Sequence, residues 1–261
     1  MPVTTKSALK YSAETLDKWV VEAKNRDPVR WLIEGIVPGS GVMLISGQQK
    51  RARKTYFVMS LGLGIATGTH PVFTVNESGP VYAVFEEGRD APTAERFEKI
   101  CEAHKVDVPD NFHILWRPRV HLDNPNQAKA LLADIAEKKP RVVILDPFFR
   151  MISGDENRQE DVNKVINTVF DMRDMGTTVI LLAHLDKSRG ETPTKDIDQQ
   201  LRGSGVLANS YDVHAALRKY KQRSKHIDLT VRDREGPEID YTLRWNTKTA
   251  DFSVTKSPVA D

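Results

Sequence analysis

The sequence predicts an α/β protein with a mostly parallel central sheet flanked by helices and with antiparallel strands at its C-terminal end. Short apolar runs alternate with helical patterns of about ten to fifteen residues, as in chains of β-α-β units. The apolar runs are continuous rather than alternating, which is typical of strands buried on both faces. From Asp212 onward, short strand-like segments are separated by turns, which indicates antiparallel pairing.

Each predicted element follows from the spacing of its apolar residues. Five continuous runs predict the parallel strands, at residues 42–45, 80–85, 112–116, 141–146 and 177–183. Apolar residues recurring about every 3.6 positions predict helices at residues 55–68, 94–104, 126–138 and 161–175. Three later segments, at residues 213–220, 226–231 and 241–245, predict the antiparallel strands.

The predicted organisation is an N-terminal arm or helix at residues 1–27, one α/β domain at 28–250 and a C-terminal tail at 251–261. Within the first segment, Leu16, Trp19, Val20 and Ala23 share one helical face. Two interpretations of that face remain open. It packs on the core of its own chain, or it docks on a neighbouring subunit.

The composition is that of an ordinary globular protein, with 39% hydrophobic and 28% charged residues among 261. A net charge of +2 is too small to indicate a nucleic-acid partner by itself. Cys101 is the only cysteine, which excludes an internal disulfide and a zinc site built from cysteines. The single cysteine makes a reducing cytoplasm the expected location. No stretch approaches the ~18 apolar residues of a membrane span, so we expect no membrane partner.

The segment GQQKRARKT at residues 47–55 joins the first strand to the first helix of the sheet, as a phosphate-binding P-loop does. The motif G-x-x-x-x-G-K-[ST] aligns backward from Lys54 and Thr55 better than forward from Gly47, because only then does a hydroxyl follow the lysine. Arg53 then replaces the second glycine. The predicted nucleotide-binding residues are Gly47, Gln48, Gln49, Lys50, Arg51, Ala52, Arg53, Lys54, Thr55 and Tyr56.

Three further strands also end in polar groups, and ligands of parallel sheets bind at the carboxyl ends of strands. Asp146 follows an apolar run and predicts, together with Thr55, a Mg²⁺ site beside the nucleotide. Glu86 or Glu87 is a candidate to deprotonate an attacking water, and His184 is a candidate to contact the γ-phosphate. The alternatives are a turn-capping aspartate, a solvated acidic turn and a structural histidine.

Two basic regions are candidates for phosphate contacts. The polar segment 186–202 carries Lys187, Arg189, Lys195 and Arg202, which predict DNA contact if the segment is more than an ordinary loop. Residues 218–225 hold five basic side chains. This segment is either a second basic patch that binds phosphates or a hairpin turn exposed to water. Arg232 and Arg234 precede a Gly-Pro turn and are candidates for an arginine finger that reaches a neighbour's γ-phosphate.

In order and spacing, these segments resemble a RecA-like P-loop ATPase, and within that class the RepA-type hexameric helicases of plasmids, phages and prophages. The resemblance covers residues 28–245 and rests on PVRWLIEGIVPGSGVMLISG, FEEGRD, ILDPF, SGDEN, LLAHLDK, LRGSGVLANSYD and VRDREGP. It implies that Glu86 is the catalytic glutamate, Asp146 the Walker-B acid and His184 the sensor. It also implies that Arg234 is the finger, with Arg232 at the lysine of K-x-R-x-G-P.

The resemblance implies ATP and Mg²⁺ as cofactors and a ring hexamer or other homo-oligomer as the assembly. It further implies single-stranded DNA in the channel, replication or recombination proteins as partners, and a bacterial or phage-infected host. The primary hypothesis is therefore a DNA-stimulated ATPase. The altered P-loop motivates the alternative, an ATPase-deficient scaffold that oligomerises and binds or loads single-stranded DNA.

Overall fold

The computed structural model describes residues 13–26, 30–48, 52–155, 158–184, 205–219, 225–234 and 236–256. The helices are α1 (Leu16–Arg26), α2 (Lys54–Thr67), α3 (Asp90–His104), α4 (Pro125–Lys138), α5 (Gln159–Asp174) and α6 (Gly205–Ala208), with a 3₁₀ turn at Phe148–Met151. The strands are β1 (Trp31–Ile33), β2 (Val37–Pro38), β3 (Val42–Gly47), β4 (Val81–Phe85), β5 (Phe112–Trp116), β6 (Val142–Asp146), β7 (Thr178–His184), β8 (Val213–Arg218), β9 (His226–Asp233), β10 (Glu238–Asn246) and β11 (Asp251–Lys256).

Nine of these strands form one sheet in the order β11-β10-β9-β8-β3-β7-β6-β4-β5. The six strands from β8 to β5 are parallel to one another, and β8 through β11 pair antiparallel. The predicted fold class, a mostly parallel sheet with antiparallel strands at the C-terminal end, is confirmed. β8 marks the boundary, since it is parallel to β3 on one side and antiparallel to β9 on the other.

The pleat of the sheet divides the core into two clusters. Met43 and Ile45 of β3 pack with α2 and α3, whereas Val42 and Leu44 pack with α4 and α5. These two sides are called the α2 face and the α5 face. Because successive side chains of a strand alternate between the faces, the position of a residue in its strand decides on which face its side chain lies. Only groups on the same face can form one site.

Four features differ from the predictions. The segment that precedes β3 forms the antiparallel pair β1–β2, and α3 begins at Asp90 rather than four residues later. The first part of the expected tail is strand β11, because it pairs with β10 and its Asp251 is buried against Ser60 and His104. In α1 the apolar face is exposed, with Leu16 at 74% and Trp19 at 53%, which does not fit the first of the two open interpretations, packing on the core of its own chain.

No helix in the described part of the chain is long and apolar enough to cross a membrane.

Candidate nucleotide-binding site

The carboxyl end of β3 and the first turn of α2 frame the candidate P-loop. Gly47 ends the strand where a side chain has no room, because a Cβ there would lie 2.7 Å from the Ala52 Cβ and 2.7 Å from the Leu217 carbonyl oxygen. Ala52 is fully buried behind it. Three residues predicted for this loop, Gln49, Lys50 and Arg51, lie outside the described residues. The close backbone approach explains why this strand must end in glycine.

Arg53 adopts the backbone conformation that a P-loop glycine supplies. Its φ of 58° and ψ of 32° lie in the left-handed region, and it directly precedes the first residue of α2. Since non-glycine residues rarely adopt that region, this geometry fits the backward alignment, in which Arg53 replaces the second glycine. Its guanidinium lies over the rings of Tyr56 and Trp245, with distances of 5.6 Å and 5.1 Å to the ring centroids.

Lys54 points into a buried pocket at the start of α2. Its Nζ donates hydrogen bonds to the Gly47 carbonyl oxygen at 2.8 Å and to His184 Nδ1 at 3.0 Å. Burial lowers the pKa of Lys54 to about 8, although the nearby charges of Asp146 and Glu87 favour the ammonium form. A buried ammonium with two neutral acceptors lacks full compensation for its charge, which phosphate oxygens would provide.

Asp146 and Thr55 form the candidate metal site. Asp146 is 8% exposed at the end of β6, and its carboxylate accepts a hydrogen bond from the Thr55 side chain. Burial raises the pKa of Asp146 to about 6, against the opposing effects of the Thr55 hydrogen bond and the Lys54 charge. A desolvated carboxylate beside a hydroxyl fits Mg²⁺, which prefers oxygen ligands and would supply the missing positive charge.

The protein alone offers this cation few ligands. Among the described residues, no three His, Cys, Asp or Glu side chains are grouped so that they could hold a metal ion. Mg²⁺ normally keeps several waters and binds one or two carboxylates together with substrate phosphates. The donor set therefore fits a cation that enters with a nucleotide.

The two glutamates that follow β4 point to different places. Phe85 belongs to the α2 face, so the pleat turns Glu86 to the α5 face. There its carboxylate accepts hydrogen bonds from the backbone N–H groups of Arg119 at 3.1 Å and Val120 at 2.9 Å. These bonds hold the Glu86 carboxylate against the segment that follows β5. The catalytic role of Glu86 stays a prediction, with Glu87 as the other candidate.

Glu87 is the glutamate whose charge acts on the residues of the pocket. Its charge acts on both Lys54 and Asp146, and it accepts a 2.8 Å hydrogen bond from Arg150 Nε. The resemblance could not distinguish the two glutamates, because FEEGRD contains both and both lie beyond the last residue of β4.

Arg232 and Arg234 lie at the opposite end of the sheet from the P-loop. Val213 pairs with both Met43 and Asp233, which places the turn after β9 beside the amino end of β3. Arg232 forms a salt bridge with Glu238 at 2.8 Å, and Arg234 Nη2 donates to the Asn209 carbonyl at 3.1 Å. β3 spans about 20 Å, so neither arginine reaches Lys54 of its own chain.

The predicted DNA-contacting residues Lys187, Arg189, Lys195 and Arg202 lie outside the described residues. Of the second basic segment, Arg218, Lys219 and Lys225 are described. Arg218 ends β8 next to Gly47, since Leu217 pairs with Gly47. Both basic segments therefore follow strands, β7 and β8, whose carboxyl ends lie beside the P-loop.

Sequence reasoning missed two residues beside the P-loop. Trp245, near the end of β10, contacts Tyr56 with ring centroids 4.7 Å apart. The guanidinium of Arg96 in α3 lies 4.9 Å from the Tyr56 centroid. No sequence pattern marks either residue, because each reaches the site from a distant element of the fold.

Comparisons with known proteins agree with this geometry. A family described as an AAA domain matches residues 5–190. A solved structure of a KaiC-like protein from the hyperthermophilic archaeon Pyrococcus horikoshii OT3 is similar in fold, with a TM-score of 0.58 and 16% identity over 86% of this chain and 94% of that chain. No curated protein sequence matches the chain. The family match and the fold support a RecA-like P-loop ATPase.

Proposed function

The chain belongs to the AAA domain family, and we propose that it is an oligomeric, Mg²⁺-dependent ATPase stimulated by single-stranded DNA. The proposal includes a role in replication or recombination, in the manner of the RepA-type hexameric helicases. One observation carries the ATP-binding part. A buried lysine at the start of α2 lies between the P-loop carbonyl and His184, beside the buried Asp146 and its hydrogen-bond donor Thr55.

Each described side chain of the site has its own role in ATP binding or hydrolysis. Lys54 binds the β- and γ-phosphates, and Thr55 and Asp146 hold Mg²⁺, which neutralises charge on the phosphates. Glu87 orients an attacking water and accepts its proton, since its charge acts on both Lys54 and Asp146. His184, hydrogen-bonded to Lys54, senses whether the γ-phosphate is present.

Two features support assembly of several subunits. Arg234 lies at the wrong end of the sheet for its own P-loop, so a finger role requires a neighbouring chain's site. The exposed apolar face of α1, with Leu16, Trp19 and Val20, suits docking on another subunit. We propose a ring hexamer or other homo-oligomer with ATP bound at the subunit boundaries.

The basic residues near the P-loop edge support contact with single-stranded DNA. Arg218 ends β8, and Lys219 and Lys225 lie between β8 and β9, at the same end of the sheet as Gly47. Phosphates of a nucleic acid bound there would lie close to the nucleotide, which would couple DNA binding to ATP turnover. We place Lys187, Arg189, Lys195 and Arg202 in the same role.

Arg53 favours a second candidate function. Arginine in place of the P-loop glycine brings a large side chain to a point where the backbone approaches phosphate. The alternative is therefore a RecA-like scaffold that oligomerises on single-stranded DNA and binds nucleotide without turnover. The two functions differ in one readily measured quantity, the steady-state rate of hydrolysis.

The test is ATP hydrolysis with Mg²⁺, with and without single-stranded DNA, by the wild type and Arg234→Ala. Arg173→Ala is the control, because Arg173 is a surface residue paired with its neighbour Asp174. We expect stimulation by DNA that is lost in Arg234→Ala and kept in Arg173→Ala. ATP binding without hydrolysis under every condition would favour the scaffold, and hydrolysis indifferent to DNA would contradict the DNA role.

A further inference from the structure

A stack of three side chains links the P-loop to the C-terminal strands. The Arg53 guanidinium lies 5.1 Å from the Trp245 centroid and 5.6 Å from the Tyr56 centroid. The two rings meet edge to face, with centroids 4.7 Å apart and an interplanar angle of 69°. Arginine over tryptophan is the strongest common pairing of a cation with an aromatic face.

The strand side of this stack is firmly fixed. Trp245 is 8% exposed, and its ring packs against Phe252 of β11 at 5.1 Å. Its backbone N–H donates to the Lys225 carbonyl at 2.8 Å. The packing of its ring and the hydrogen bond of its backbone fix Trp245, so its ring can hold the guanidinium that stacks on it.

The P-loop side of the stack needs such support. Arg53 is in the left-handed region without a side-chain hydrogen bond that caps α2. Glycine adopts that region freely, whereas a residue with a Cβ does so at a conformational cost. Arg53 also supplies the carbonyl that accepts the Phe57 N–H, so its backbone sets the direction of the first turn of α2.

We propose that Arg53, Tyr56 and Trp245 form a clamp in which stacking of the guanidinium holds the left-handed turn that aims Lys54 and Thr55. In this chain the clamp replaces the conformational freedom of the usual glycine. Trp245 is thereby a positioning residue for phosphate binding, although it lies outside residues 5–190 that match the family. The inference rests on the proposed nucleotide binding at Lys54.

A double-mutant cycle tests the clamp by measuring the Kd for ATP with Mg²⁺. We expect Trp245→Leu to weaken binding about tenfold in the wild-type background. Arg53→Gly supplies the second background of the cycle, because glycine adopts the left-handed region freely and needs no clamp. In the Arg53→Gly background, Trp245→Leu has almost no further effect, since the partner of the ring is gone.

Two controls separate a positioning role from general packing. Arg96→Ala removes the second guanidinium that lies over the Tyr56 ring, and it is expected to leave the Kd for ATP within about twofold of the wild type. Trp245→Phe keeps an aromatic face and is expected to recover most of the affinity that Trp245→Leu loses. If Trp245→Leu does not fold, Arg53→Ala replaces it, because alanine keeps the Cβ but removes the guanidinium and should bind ATP more weakly than Arg53→Gly.

An equal loss of affinity from Trp245→Leu in the wild-type and Arg53→Gly backgrounds would overturn the clamp and leave nucleotide binding intact. Wild-type protein that binds no nucleotide would overturn the proposed function, and the clamp with it. Affinity that Trp245→Leu loses and that Arg53→Gly restores supports the clamp, because a merely structural tryptophan would be needed in both backgrounds.

Discussion

Lys54 Nζ lies 3.0 Å from Nδ1 of His184. An ammonium can only donate hydrogen bonds, so Nδ1 of His184 is the acceptor and carries no proton. The contact joins the first residue of α2 to the last residue of β7. Strand β7 is the neighbour of β3, and Gly47 at the end of β3 pairs with His184. The lysine is therefore connected to the neighbouring strand end as well as to its own loop.

This contact gives the first prediction. His184→Leu removes the acceptor and is expected to lower ATP turnover by about tenfold or more, because Lys54 loses a partner that fixes its position. His184→Asn places an amide oxygen near Nδ1 and should keep more of the activity. Turnover rates and ATP affinity of both variants are the measurements. Wild-type turnover in His184→Leu would exclude a sensing role for this residue.

The second prediction concerns the paired glutamates. Glu87→Gln is expected to lower turnover about a hundredfold or more while ATP still binds, because the base that accepts the water proton is lost. Glu86→Gln keeps an acceptor for the Arg119 and Val120 N–H groups and should retain much of the rate. The two variants serve as each other's control. A larger loss of turnover in Glu86→Gln would return the catalytic role to Glu86.

The third prediction tests whether Arg234 acts on a neighbouring subunit. Arg234→Ala and Lys54→Ala are each expected to be inactive, but mixing the two proteins should recover about a quarter of the activity. Random mixing gives that share of interfaces an intact P-loop on one side and an intact Arg234 on the other. Hydrolysis rates of the pre-mixed and separate proteins are the measurement. A mixture as inactive as its components would count against action in trans.

The fourth prediction concerns stability at low pH. His70 Nδ1 accepts hydrogen bonds from the Val72 and Phe73 N–H groups, so Nε2 carries the proton and donates to Ser60 Oγ. Burial, and then the neighbouring His104, lower the pKa of His70 to about 4, whereas Asp251 opposes this shift. The folded pKa is below the ordinary value of 6.5, so the unfolded state binds the extra proton first as pH falls.

The contribution of His70 is thus fully present above about pH 6.5 and is lost progressively toward pH 4. The loss should reach about 3 kcal/mol of the free energy of unfolding at most. Urea unfolding between about pH 7.5 and 4.5 measures it, with His70→Asn as the control that keeps an acceptor but does not titrate. Equal pH slopes for the two proteins would contradict the assignment of a buried neutral histidine.

The parallel core could be predicted from sequence because its strands are continuous apolar runs, such as residues 141–146, and its helices have clear periodicity. The convergence of Lys54, Asp146 and His184 followed from the rule that ligands bind at carboxyl strand ends. The same rule could not separate Glu86 from Glu87, because that distinction depends on contacts with Val120 and Arg150 from other parts of the chain.

Contacts between distant parts of the chain could not be predicted from local patterns. The Ser60 hydroxyl donates to Asp251 at 2.7 Å across 191 positions of sequence, and this contact helps hold β11 in the sheet. The contact of the Arg53 guanidinium with the Trp245 ring also joins residues that are far apart in sequence. In both cases the partner is supplied by a C-terminal strand whose sequence carries no motif.

The most direct test of the nucleotide site is the affinity for ATP, measured by titration calorimetry with and without Mg²⁺, for the wild type and Lys54→Ala. Lys164→Ala is the control, since Lys164 is an exposed residue of α5. We expect Mg²⁺-dependent binding by the wild type and by Lys164→Ala, and an affinity lower by about a hundredfold or more in Lys54→Ala. Equal affinity in Lys54→Ala, or no binding by the wild type, would contradict it.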